Sequence, residues 1–184
     1  MALTADKVQP KTAGSADAWL EPIFREHWSR VYSVLYRLVG DDAEAEDLAL
    51  ETFWRLYRRP PSLREGQGFG GWLYRVATNL GFNALRARKR RQRYEEAAHT
   101  LDLGGDPPDD PATELERGQE LRKVRAVLEQ MKPRSAQVLA LRYSGLSYAE
   151  VAAALGVSPA SVGTLLARAE EEFENRYQGQ EGGV

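Results

Sequence analysis

The sequence predicts an all-α protein, two small helical domains joined by a flexible acidic linker, and three observations carry that prediction. Apolar residues recur three and four positions apart along most of the 184 residues, the spacing of one helix face, and no segment alternates as a half-buried strand would. Clusters of Gly and Pro interrupt the pattern at a few places, which become the connections. The stretch "YEEAAHTLDLGGDPPDDPAT" replaces it with Gly, Pro and six acids, Glu95, Glu96, Asp102, Asp106, Asp109 and Asp110, without a base between positions 94 and 113. That composition suits a tether better than a core.

The elements follow in order. Ile23, Phe24, His27, Trp28, Val31, Tyr32, Leu35 and Tyr36 form one helix face, and Gly40 offers its stop. Asp41 then supplies an acidic cap with Glu44 three residues on, and Leu48, Phe53, Leu56 and Tyr57 continue the period through a second helix. "RRPPSLREGQGFGG" ends it as a loop. Trp72, Leu73, Val76, Ala77, Leu80, Ala84 and Leu85 rebuild the stripe in a third helix, which finishes in "RARKRRQR". Beyond the acidic linker, Leu121, Val124, Val127, Leu128 and Met131 define a helix closed by Pro133, and "RSAQVLALRYSG" gives another that ends near Gly145. Ser147 and Glu150 make a capping box, Gly156 ends the short helix they start, and Ser158 with Pro159 opens the last one. The expected boundaries are a disordered tail at 1–18, a first domain at 19–93, the linker at 94–113, a second domain at 114–178 and a tail at 179–184.

Composition narrows the function. With 42% hydrophobic and 28% charged residues the chain is a globular one. The absence of cysteine leaves no disulfide, thiolate nucleophile or cysteine metal site, and His27 and His99 are too few for a metal. A nuclease would need a carboxylate cluster or an activated nucleophile. Asp41 and Asp42 sit at a cap and Asp109 and Asp110 in the linker, so no enzyme, metal or cofactor is expected. No apolar run approaches the roughly 20 residues that span a bilayer, and no secretion signal opens the chain, which predicts a cytoplasmic protein. Net charge is −2, yet residues 1–93 carry 16 Lys+Arg against 11 Asp+Glu and residues 94–184 carry 9 against 16. The first half is the basic one.

Two motifs suggest nucleic acid. "SYAEVAAALGVSPASVGTLLARA" reads as helix, tight turn, helix, with Val151, Ala152, Leu155, Val157 and Val162 at the spacing of a helix-turn-helix. An ordinary helical hairpin is the other reading. Arg86, Arg88, Lys89, Arg90, Arg91 and Arg93 crowd six cations into eight residues, a density suited to phosphates, although a solvated helix end looks similar. Trp54, Phe69, Trp72, Tyr74 and Phe82 lie near these and other basic residues, a mixture that can stack unpaired bases, with most of the rings expected in the core.

Taken in order, these residues resemble the extracytoplasmic-function group of bacterial sigma factors in the sigma-70 family. "VYSVLYRLVGDDAEAEDLALETFWRLYRR" is similar to the start of the family's region 2, "GWLYRVATNLGFNALRARKRR" to its promoter-melting helix, and residues 114–177 to its region 4. The resemblance implies a subunit that binds RNA polymerase core, on the clamp of the large subunit, and gives it promoter choice, with no reaction of its own. It places polymerase binding on Ala45, Glu46, Asp47, Leu48, Glu51, Phe53 and Trp54, with Leu50 where glutamine is usual. It places minus-ten binding on Trp72, Arg75, Asn79, Asn83, Arg86, Lys89 and Arg90, with Asn83 in place of aspartate and the loop at 60–71 set to capture a flipped base. For the minus-thirty-five element the matching positions are Arg142, Tyr148, Ser158, Ala160, Ser161, Thr164 and Arg168, while Gly163 and Leu165 stand where lysine and arginine are usual. The resemblance also implies an anti-sigma factor, which could hold the protein at the membrane, and a linker that mimics nucleic acid in the polymerase channel. A sigma-like adaptor whose region 4 binds a protein is the competing reading, favoured by Glu170, Glu171, Glu172 and Glu174 in the last helix. Those acids start more than two turns beyond Ser158, roughly 18 Å at 1.5 Å per residue, and are expected to point off the DNA.

Overall fold

The computed structural model describes residues 13–62, 68–99 and 112–181, all of the regular structure in them α-helical. The N-terminal half is α1 (Ala13–Val39), α2 (Asp42–Arg58) and α3 (Gly70–His99); the C-terminal half is α4 (Ala112–Gln130), α5 (Pro133–Tyr143), α6 (Tyr148–Leu155) and α7 (Pro159–Glu181). Helix α1 therefore begins inside the segment read as a tail, and α3 runs six residues into the segment read as a linker. Residues 100–111 of that linker, 63–67 of the 60–71 loop and the first twelve residues lie outside the described residues.

Local chemistry fixes most of these ends. Gly40 stops α1 with φ of 73°, a left-handed conformation that glycine adopts without cost. Asp41 caps α2, its carboxylate accepting from the Glu44 N–H at 2.8 Å. Both arms of the Ser147–Glu150 capping box are made at the start of α6, and Gly156 closes that helix with φ of 67°. Lys132 gives α5 no side-chain cap, and Pro133 occupies the first helical position.

Packing then joins the halves. In the first, Val31, Val34, Leu35 and Leu38 of α1 meet Phe53 and Leu56 of α2 and Leu73, Tyr74 and Ala77 of α3. Gly81 lets α1 and α3 approach closely, since a Cβ there would stand 2.6 Å from a Leu38 methyl. In the second, Val127, Val138, Leu141, Leu146, Val151, Val162 and Ala169 are buried. The two sets form one continuous cluster, because α6 packs along the N-terminal part of α3 and α5 touches α1 and α3. No single helix among the described residues is long and apolar enough to cross a membrane.

Candidate nucleic-acid and polymerase interfaces

Helix α2 sorts its residues by face. Glu46, Asp47, Leu50 and Trp54 are exposed, and Leu48 and Glu51 are half-buried. Ala45 and Phe53 are buried, Phe53 against Phe24 at 4.8 Å between centroids, on the inner side of the helix and not on its exposed face. Leu50 lies on the exposed face with Glu46, Asp47 and Trp54. It is 48% exposed, one turn from Trp54 at 51%, and the pair makes an apolar patch of the kind a protein partner covers. The i, i+4 spacing of these two residues was the available signal.

Helix α3 carries the cationic stripe. Tyr74 and Phe82 are core residues, whereas Trp72 is half-buried and lines an open groove of about 550 Å³ with Trp54, Arg55, Arg58, Arg59 and Val76. Arg58 lies 5.8 Å from the Trp54 ring centroid. Glu51 also lines the groove and pairs with Arg55 at 2.8 Å, so two indoles with the guanidiniums of Arg58 and Arg59 are what suits a base and its phosphates. Farther along, Arg86 donates to the Asn83 side chain at 3.3 Å, and Arg86 and Arg90 are exposed. The other three residues of the stripe face the C-terminal half. Arg75 donates to the carbonyls of Ala154 at 2.6 Å and Ala153 at 3.1 Å, Asn79 accepts from Gln137 at 2.9 Å, and Lys89 is 3.7 Å from Glu129. Arg88 turns inward to pair with Glu44 and the Val39 carbonyl, bracing the end of α1.

The helix-turn-helix is α6, the Gly156 turn and α7. Ser158, Ala160, Ser161, Thr164 and Arg168 are all exposed on the opening turns of α7, and the Ser158 and Ser161 hydroxyls bond each other at 3.2 Å. Arg142 is committed to the turn before α6, donating to the Leu146 carbonyl at 3.1 Å with its guanidinium 5.6 Å from the Tyr148 ring centroid. Arg168 shares a groove with Lys132 and Arg134, two basic residues the sequence reading left unassigned. Their signal was hard to see, because they lie some 35 positions away in the chain.

Glu171 and Glu172 of α7 line that same groove. Glu172 accepts from the Lys132 N–H at 3.0 Å and the Ser135 hydroxyl at 2.8 Å, and pairs with Arg176 at 3.3 Å. Burial works to raise its carboxyl, but those hydrogen bonds and the Arg176 charge prevail and hold it below the usual carboxylate value. It therefore supplies, from another helix, the cap that α5 lacks. Glu170 accepts from the Tyr143 hydroxyl at 3.1 Å. Both acids are engaged by α5 or the residue before it.

Comparison with known proteins follows these two halves. Residues 23–91 match the family model described as Sigma-70 region 2, and residues 121–173 match the one described as Sigma-70, region 4. The RNA polymerase sigma factor CarQ of Myxococcus xanthus is 33% identical over 148 residues, covering 79% of this chain and 81% of that protein. The chain belongs to the extracytoplasmic-function group of the sigma-70 family. The ECF RNA polymerase sigma factor SigE of Mycolicibacterium smegmatis is 35% identical over 164 residues and 86% of this chain. The chain spans 61% of the length of SigE, and 61% of that of BldN from Streptomyces coelicolor. Among solved structures, the sigma factor RpoE in complex with the anti-sigma factor NepR from Bartonella quintana shares the fold at a TM-score of 0.53 and 18% identity, covering 86% of this chain and 96% of that one. CnrH in complex with the cytosolic domain of CnrY gives 0.56 and 18%, covering 91% and 95%. The region 2 match thus falls within α1 to α3, and the region 4 match within α4 to α7. No group of three or more His, Asp or Glu that could hold a metal occurs among the described residues.

Proposed function

We propose that this chain binds RNA polymerase core through the exposed face of α2 and directs promoter-specific initiation, with α3 and the Trp54–Trp72 groove taking the melted minus-ten strand and α7 entering the major groove at minus thirty-five. One observation carries the reading: a single chain presents a basic, aromatic helix face for single strands and a helix-turn-helix whose opening turns are exposed and free of acid. Phosphates favour the positive end of α7, and Ser158, Ser161 and Thr164 offer short polar contacts there. Gly163 and Leu165 leave direct base readout thin, so the polymerase-bound region 2 supplies more of the specificity. The chain performs no reaction of its own.

An anti-sigma factor completes the proposal. The similar RpoE structure is a complex with one, NepR, and here an apolar groove of about 680 Å³ opens between α1 and α4, α5 and α7, lined by Tyr36, Leu121, Val124, Leu128, Tyr143 and Phe173. Such a surface would take an apolar segment of that partner, which would keep the chain in the cytoplasm or at the membrane face.

In vitro transcription with purified core polymerase on a pool of genomic fragments tests the function. Specific start sites are expected with the chain, and their loss with the Asn79→Ala, Arg86→Ala double variant. Core binding without any specific transcript would overturn it.

A further inference from the structure

Arg125 of α4 carries a charge that nothing around it answers. The residue is half-buried, and its Nε is buried with no acceptor among the described residues. The groups whose charges act on it are Arg88, Tyr36 and Arg122, no carboxylate among them. Burial first, and then the two neighbouring arginines, hold it below the usual arginine value, with Tyr36 opposing them. Its guanidinium lies against Gly40, where a Cβ would overlap it. The end of α1 does not satisfy it there, because the Tyr36 carbonyl accepts from the Gly40 N–H at 2.8 Å and the Val39 carbonyl from Arg88 at 3.1 Å. A guanidinium drawn out of water calls for a carboxylate or phosphate in its fork, and leaving it unpaired is costly.

Arg125 also lines the apolar groove between α1 and α4, α5 and α7. We infer that this groove binds a small amphiphilic anion, an aliphatic chain ending in a carboxylate, with the carboxylate on Arg125 and the chain along Leu121, Leu128 and Phe173. The binding goes beyond the promoter reading and does not depend on it.

Size, surface and charge all suit that occupant. The groove of about 680 Å³ falls within the roughly 300–1,000 Å³ of small-molecule sites. Of the seven large apolar side chains exposed among the described residues, Tyr36, Leu121 and Tyr143 all stand at this groove. Apolar surface is thus concentrated where a chain would cover it. The charged residues of the lining are Arg37, Arg125 and Glu170. Glu170 already accepts from the Tyr143 hydroxyl, on the side of α5 and α7. Arg37 lies in the last turn of α1, and Arg125 against the glycine that ends that helix. The cations therefore belong to the α1 side, where a carboxylate head would sit away from Glu170. An occupied groove would exclude the partner segment assigned to it above, a consequence that, unlike the binding itself, rests on the anti-sigma reading.

Titration calorimetry of the full chain with sodium decanoate, below its micelle concentration, tests the inference. Decanol and decyltrimethylammonium present the same chain with a neutral and a cationic head. Expected are one saturable site for decanoate, affinity lower by about tenfold or more for the other two, and a melting temperature raised by decanoate. Arg125→Met keeps an apolar stem against Gly40 and removes the charge. It should bind decanoate about tenfold or more less tightly than the parent, and no better than decanol. It should melt no lower than the parent, since an unpaired charge has gone. Leu121→Asp, at an exposed position, should weaken decanoate and decanol alike, and it keeps the test decisive if Arg125→Met does not fold. Decanoate bound no better than decanol, or bound by Arg125→Met as tightly as by the parent, would overturn the inference. A groove reserved for a peptide would bind none of the three, and one covered by a second copy of the chain would bind decanoate less tightly as protein concentration rises; either result would overturn it as well. Failure of the promoter reading looks different: transcription with core would give no start sites, whatever the calorimetry shows.

Discussion

Replacing Glu172 by alanine separates two views of the acidic helix α7. If its acids merely repel DNA, Glu172→Ala should improve DNA binding and leave stability alone. The structure gives the opposite sign. The carboxylate accepts from the Lys132 N–H and the Ser135 hydroxyl at the start of α5, a helix without a side-chain cap of its own. Loss of a helix cap costs about 0.5–2 kcal/mol, and the part-buried Ser135 hydroxyl would also lose its acceptor. We expect Glu172→Ala to destabilise region 4 by about 2 kcal/mol, lowering the melting temperature by roughly 4–8 °C for a chain of this size. Glu172→Gln keeps an acceptor but loses the charge, and should cost about half as much. The pH dependence has a definite sign: the folded carboxyl lies below its usual value of 4.5, so its contribution is present above that pH and is lost as pH falls through the folded value. Urea denaturation followed by far-UV ellipticity, from pH 7 down to the acid limb, measures both effects. Glu172→Ala within about 0.3 kcal/mol of the parent, a difference typical of neutral surface changes, would refute the capping argument.

Other predictions follow from the same geometry. Gly163→Ala should stabilise the chain by up to about 1 kcal/mol, because a Cβ there would meet only Tyr148 at an ordinary 3.7 Å; thermal unfolding measures it. Gly81→Ala should destabilise by about 1–3 kcal/mol through overpacking against Leu38, seen in the same assay. Burial holds His27 below its usual value of 6.5, with Arg30 adding to that effect while Glu26 and Glu150 oppose it. Its stabilising contribution is complete above that pH and declines as pH falls below it. A His27→Gln variant should show a flatter urea midpoint between pH 7.5 and 5.5. Leu50→Asp should weaken core polymerase binding without changing the melting temperature, whereas Phe53→Ala should cost about 3–5 kcal/mol of stability and so lower that temperature; pull-down on core and calorimetry distinguish the two.

Much of the molecule is legible in its sequence. The caps at Asp41, Ser147 and Glu150, and the stops at Gly40 and Gly156, are signals confined to one turn of chain, and all five appear as read. The cationic stripe of α3 and the exposed opening of α7 were equally local. Less legible was which side of a helix faces a neighbour when apolar and polar residues mix: Ala45 and Phe53 sit among partner-facing residues in sequence, yet on the inner side of α2.

The sequence by itself determined the helices, their ends, the helix-turn-helix and the segregation of charge, because period and capping depend on residues within a turn or two. Tertiary structure alone decided that Glu172 caps a helix starting 40 residues earlier and that Arg75 closes the end of a helix 79 residues later. Those roles arise from the packing of whole helices. Hydrogen-bonding groups left open at helix ends are satisfied by whatever side chain the fold brings there, and no local pattern names it.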